Sequence, residues 1–105
     1  GQAKEMILTG KMISAQEAYE IGMVNKVMPQ AELMEAVKKV AFQIAKNGPI
    51  AVSIAKNLVD VGYDIPLDDG CLMESRSFGM CCATEDKKEG MKAFLEKRKP
   101  EFTGK

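Results

Sequence analysis

Histidine is absent from the 105 residues. No Ser–His–Asp or Cys–His constellation can therefore form, and no imidazole is available for acid–base work. Any chemistry would rest on carboxylates, Lys, Cys or Tyr. Carboxylates gather in two places, Glu17 with Glu20, and Asp68 and Asp69 with Glu74. Such pairs act as acid and base only where one member is desolvated and its pKa raised. Here they sit beside polar neighbours or at helix starts, where the macrodipole favours the ionised form. They read as caps and solvated faces. Cys71, Cys81 and Cys82 are odd in number and lack C-x-x-C spacing, which argues against a disulfide framework or a zinc site. They read as small apolar residues of a reducing compartment. Gly10, Gly22, Gly48 and Gly62 punctuate helix ends, and no Gly-rich phosphate loop is present.

One cluster is left, in "ATEDKKEGMKAFLEKRKPEF": Lys87, Lys88, Lys92, Lys97, Arg98 and Lys99. It is either a solvated face that complements a helix dipole or an anion site suited to a nucleotide phosphate. In the second reading Phe94 or Phe102 offers a ring for a base to stack on. On a continuous helix Phe94 and Lys97, three apart, would be neighbours. Composition alone leaves both readings open.

The elements that must hold these groups are mostly helical. Residues 2–9 are good helix formers closed by Gly10. Ser14 and Glu17 form a capping box for a short helix that Gly22 ends. "MVNKVM" (23–28) alternates as a brief strand does. Pro29 opens a helix carrying Leu33, Val37, Val40 and Ile44 on one face, to Lys46. Pro49 opens the next, with Ile50, Ile54, Leu58 and Val61 aligned. From Leu67, positions 67, 71, 78 and 82 lie within about 40° of one meridian, so Cys71, Phe78 and Cys82 form an apolar stripe. Thr84 caps a last helix, expected to continue through "EKRK" to Pro100.

A chain of this length fits one domain with a modest core. Lys plus Arg and Asp plus Glu both number 15, so the net charge is zero and bulk attraction to nucleic acid or anionic lipid is not expected. No apolar run approaches the roughly 20 residues of a membrane span, and no basic-then-apolar leader marks secretion. Yet "MIL" (6–8), "LM" (72–73) and eight Met residues put apolar surface on more than one helix face. Packing against something outside this chain is the expectation.

Read end to end, the sequence resembles the C-terminal part of the enoyl-CoA hydratase/isomerase (crotonase) superfamily. "KEMILTGKMISAQEAYEIGMVNKVMP", "IAKNGPIAVSIAK" and "FGMCCATEDKKEGMKAFLEKRKPEF" carry the resemblance. Leu8 to Val27 fill every fixed position of L-T-G-x-x-I-x-A-x-E-A-x-x-x-G-x-V-x-x-V. Thr84 to Phe102 do the same for T-x-D-x-x-E-G-x-x-A-F-x-E-K-R-x-P-x-F. The tail is most similar to short-chain enoyl-CoA hydratases, including the 3-hydroxybutyryl-CoA dehydratases of butyrate metabolism.

The resemblance implies a mainly α chain, the C-terminal helical region of a crotonase-like ββα-spiral fold with at most one short strand. Residues 1–105 would form the part that covers CoA and builds a trimer or hexamer. The oxyanion-hole donors and the two glutamates of the hydratases would lie in a spiral core before Gly1, so no catalytic residue is expected here and the chain alone should be inert. The parent would be a lyase hydrating the trans-2,3 double bond of a short-chain enoyl-CoA. Enoyl-CoA isomerisation, another acyl-CoA chemistry on the same scaffold, or a non-catalytic oligomerisation module are the alternatives. Motif matching puts Phe78, Phe94 and Lys97 at the nucleotide end of CoA. The substrate arrives as a CoA thioester, with no covalent cofactor, metal, nucleic acid or membrane partner. A cytoplasmic location is expected, or the mitochondrial matrix in a eukaryote.

Overall fold

The computed structural model describes all 105 residues. Its elements are α1 (Gln2–Thr9), α2 (Ala15–Glu20), α3 (Gln30–Ala45), α4 (Pro49–Gly62), α5 (Leu67–Cys82) and α6 (Glu85–Leu95). They divide into two units, Gly1–Val37 and Lys38–Lys105, with the boundary inside α3. The chain is mainly α, as the helical periodicities require.

The first unit is built from local devices. Helix α1 stops at Gly10, whose φ of 65° places it in the left-handed region and lets its N–H reach the Met6 carbonyl. A β-carbon would be strained there, which is why glycine is favoured. Helix α2 starts with the expected capping box. The Glu17 N–H donates to Ser14 Oγ at 3.1 Å, and the Ser14 N–H donates to Glu17 Oε2 at 2.7 Å. Two donors that a helix start leaves unpaired are thereby satisfied.

Residues 23–28 do not form the expected strand. A strand needs a partner to take its backbone groups, and no other strand exists in this chain. The Met23 and Val24 N–H groups instead turn back and donate to the Ala18 carbonyl at 2.8 and 3.4 Å. Alternating Val residues in the sequence signalled apolar character, not pairing.

In the second unit α5 packs on α4 and, over a shorter length, on α6. Pro49 opens α4 in the first helical turn, where its missing N–H is no loss. The covered positions of α5 are Gly70, Met73, Ser77 and Cys81. Their steps of three and four residues define one face. The expected stripe lies roughly 100° further round the helix. Leu67, Cys71 and Phe78 on it are exposed, and only Cys82 is partly covered. The pattern had identified the bulkier apolar face. The covered face is the one with small residues, Gly70 and Ser77, which permit close approach of another backbone.

Helix α6 ends at Leu95, earlier than the sequence suggested. Lys97 adopts a left-handed φ of 54°. The Arg98 N–H donates to the Ala93 carbonyl at 3.0 Å and the Lys97 N–H to the Phe94 carbonyl at 3.3 Å. These are the two bonds of a Schellman stop. "EKRK" is therefore a turn and not a last helical turn.

Ala18 and Ala93 are the buried apolar residues, and no large side chain is fully buried. Leu67, Phe78, Phe94 and Leu95 are among many large apolar groups left in solvent. So much uncovered apolar surface fits the expectation of packing partners outside this chain.

Candidate functional site

The most constructed part of the molecule surrounds the first turn of α6 and the last five residues. Thr84 caps the helix: its Oγ1 accepts from the Lys87 N–H at 3.1 Å and donates to the Cys81 carbonyl at 2.8 Å. Asp86, only 6% exposed, uses both carboxylate oxygens on the returning chain. Oδ1 accepts the Thr103 N–H at 2.7 Å and Oδ2 the Gly104 N–H at 2.9 Å. Its own N–H donates to the Lys105 carbonyl at 3.1 Å.

One turn along, Glu89 receives a bidentate fork from Arg98, Nη1 to Oε1 at 2.6 Å and Nη2 to Oε2 at 2.9 Å. The same Oε1 accepts the Glu101 N–H at 2.9 Å. Arg98 Nε donates to Glu96 at 2.7 Å. Planar two-point recognition of this kind is stronger and better oriented than a simple surface ion pair.

These bonds hold Glu89 almost permanently ionised. Its carboxyl is lowered to about 2, chiefly by the Arg98 hydrogen bonds and then by the Glu101 N–H. The Arg98 guanidinium is pushed upward in turn, first by Glu89 and then by Glu96.

Phe102, flanked in sequence by the Glu101 and Thr103 N–H groups that the Glu89 and Asp86 carboxylates hold, lies against Gly90 of α6 and Gly48 at the α4 start. A β-carbon on Gly90 would fall 3.4 Å from Phe102 Cε1, and one on Gly48 would fall 3.8 Å from Phe102 Cδ1. Gly104 is more constrained: it has a φ of 76°, and a β-carbon there would meet Pro49 Cγ at 3.1 Å. Phe102 is half-buried in this clasp, so it is not the free stacking ring that the sequence left open.

The basic cluster thins out accordingly. Lys88 pairs with Glu85 at 2.7 Å, and Arg98 is committed to the clasp. The Lys97 ammonium makes no hydrogen bond or ion pair. Of the three residues assigned by resemblance, Phe94 is 80% and Phe78 71% exposed. Phe94 and Lys97 remain close through the Schellman turn, but not as helix neighbours, because the helix ends between them. Phe78 lines a recess of about 380 Å³ with Cys81, Cys82, Lys87, Met91 and Phe102. Neither Phe94 nor Lys97 lines it.

A second groove of about 870 Å³ runs along α4 and α5 past Ile54, Val61, Leu72 and Met73, and none of the three lies on it. Glu17 is lowered, mostly by the Ser14 N–H and then by the Ser14 hydroxyl and Lys11, the opposite of what a general acid needs. No three His, Cys, Asp or Glu side chains are grouped to hold a metal.

A family model described as enoyl-CoA hydratase/isomerase matches residues 1–105. The chain belongs to the enoyl-CoA hydratase/isomerase family. Among curated relatives, a crotonyl-CoA hydratase of Syntrophomonas wolfei is 45% identical over all of this chain, which spans 40% of that protein. A short-chain-enoyl-CoA hydratase of Clostridium acetobutylicum is 45% identical over 96% of the chain and 39% of the relative. Among solved structures, an enoyl-CoA hydratase from Bacillus anthracis superposes with a TM-score of 0.97 at 45% identity, over 100% of this chain and 41% of that one. The chain thus spans about two fifths of the length of these family members.

Within the family motif, Asp86, Glu89, Gly90, Ala93, Arg98 and Phe102 now have physical reasons. They are the carboxylates, gaps, core contact and ring of the clasp. In the sequence alone Arg98 reads as one cation of six. The available signal was the spacing of Asp86 and Glu89, three apart on one helix face, ahead of an arginine and an aromatic.

Proposed function

We propose that this chain is the C-terminal helical region of a short-chain enoyl-CoA hydratase. The whole enzyme would reversibly add water across the trans-2,3 double bond of an enoyl-CoA thioester. The observation that carries this reading is the family match from end to end, with the two hydratases above at 45% identity. The chemistry of the chain agrees with it. The chain holds no histidine, and Glu17 and Glu89 are held toward the ionised form, so its part in such a reaction is read as binding and covering.

Phe78, Phe94 and Lys97 are proposed as contacts to the nucleotide end of CoA. Two exposed rings offer faces for an adenine, and an unpaired ammonium offers charge to a phosphate. Residues 1–105 would also supply apolar surface for a trimer or hexamer. No helix is long and apolar enough to cross a membrane.

The test is a pair of measurements. The 105-residue chain should show no hydration of crotonyl-CoA, whereas the full-length protein containing it should hydrate that thioester. Calorimetry on the chain alone should give at most weak CoA binding, and a micromolar dissociation constant there would overturn the incomplete-pocket reading. A full-length protein that only shifts the double bond would instead assign it to the isomerases. A stable trimer of the chain without CoA affinity would support a purely oligomerising role for it.

A further inference from the structure

Lys97 is the one non-glycine residue with positive φ, at 54°. That conformation is unfavourable for any residue with a β-carbon, and the position it holds at a helix stop is usually filled by glycine. A conformation of this kind persists where the surroundings fix it, and it often coincides with a function. The surroundings here are unusually complete. Before Lys97 the turn is fixed by the Schellman bonds to Ala93 and Phe94. After it, Arg98 is held by both oxygens of Glu89, by Glu96 and by the Lys99 carbonyl at 3.2 Å. Glu89 is itself tied to the Glu101 N–H. Neighbouring cations therefore have opposite situations. The Arg98 guanidinium makes four hydrogen bonds, and the Lys97 ammonium makes none.

We propose that Glu89, acting through Arg98, is a positioning residue that holds the Lys97 turn ready for a phosphate of the CoA nucleotide. This rests on the reading above that Lys97 meets that part of the ligand. With the clamp intact, the ammonium meets the phosphate on a turn already ordered, so less conformational freedom is lost on binding. With it broken, the helix end relaxes toward ordinary frayed geometry and must be ordered by the ligand. The effect belongs to binding of the nucleotide and not to the reacting double bond.

The test is steady-state hydration by the full-length protein, comparing crotonyl-CoA with crotonyl-pantetheine, which lacks the nucleotide. Glu89→Gln should raise KM for the CoA thioester about tenfold, as expected for loss of one charge-assisted contact. It should leave kcat and the pantetheine constants unchanged. Arg98→Lys keeps the charge and loses the fork, so it should move KM in the same direction by less. It decides the matter if Glu89→Gln fails to fold.

Lys97→Gly should raise KM for CoA similarly while raising the thermal midpoint, because glycine suits the left-handed turn. Equal losses with both thioesters in Glu89→Gln and Arg98→Lys would overturn the positioning role and leave a structural one. If Lys97→Gly alone loses the preference for the CoA thioester, only the positioning role falls. If Lys97→Gly keeps that preference, the contact assigned to Lys97 falls and the positioning role with it.

Discussion

The two units are stabilised over different distances along the chain. In Gly1–Val37 the polar bonds that shape the structure link residues two to six apart: Thr9 Oγ1 to the Glu5 carbonyl, the Ser14–Glu17 box and Lys11 to Glu17. Lys38–Lys105 has local bonds as well, such as the Thr84 cap, but adds bonds that span 9 to 18 residues, from Glu89 to Arg98 and Glu101 and from Asp86 to Thr103 and Gly104. Local bonds stabilise one helix at a time and can fray one at a time. Bonds that close a longer loop form only when the chain between them is already placed, so they stand or fall together. The second unit should accordingly lose structure more cooperatively than the first.

The sharpest way to break that contrast is Asp86→Ala. It removes one buried carboxylate and leaves two tail N–H groups without their acceptor, so stability should fall by about 2–3 kcal/mol in a urea titration. Amide exchange should quicken across residues 101–105 and α6 and stay unchanged in α1 and α2. Faster exchange at Thr103 and Gly104 alone would mean that the clasp is not cooperative.

Gly104→Ala attacks the same clasp through the backbone. A β-carbon at positive φ, facing Pro49 at 3.1 Å, should cost about 1–2 kcal/mol by thermal melting. A neutral result would show that the tail can shift without disturbing Asp86.

In the first unit, Ser14→Ala removes the cap hydroxyl and should cost about 1 kcal/mol. The loss should appear as fraying of α2 by backbone chemical shifts, with residues 84–105 unaffected. Any change at the clasp would count against independent stabilisation of the two units.

Acid gives the mildest comparison, because both units contain a glutamate whose pKa is lowered on folding. A lowered folded pKa means that the unfolded chain takes up protons first, so stability falls as pH falls. For Glu89 the stabilisation is fully present above its ordinary value of 4.5 and is lost on descending through about 2. Carboxyl titration followed by NMR should show Glu17 and Glu89 both titrating below 4.5, with Glu89 near 2. Glu89→Gln should remove the pH dependence of the Glu101 amide protection factor over that window and leave the α2 dependence in place.

Much of the fold was legible because it is built from signals a few residues long. Gly10, the Ser14–Glu17 pair, Pro29, Pro49 and Thr84 each mark a helix boundary close to where one occurs. Three readings did not survive for one shared reason, namely that a sequence pattern states a capacity and not a partner. The Val residues at 24 and 27 suited a strand, but the chain holds no second strand to pair with. The 67/71/78/82 stripe was apolar, but α5 is covered on its small-residue face. "EKRK" suited a helix end by charge, but the Arg98–Glu89 fork coincides with a stop two residues before Lys97.

For the site, motif resemblance supplied Phe78, Phe94 and Lys97, and their exposure is compatible with the contacts proposed for them. The residues that shape the turn around Lys97 came from tertiary contacts alone.

By itself, then, the sequence determined that this protein is helical, where its helices start, that it holds no histidine, and which family it resembles. Those properties follow from residue type and from spacings within about one helical turn. Only the tertiary structure decided that Asp86 is buried, that Arg98 pairs with Glu89, and that Phe102 lies against Gly48 and Gly90. Each of these depends on the chain returning to itself after 9 or more residues. At that separation a side chain's chemistry is fixed by which neighbour the fold delivers, and residue type no longer predicts it.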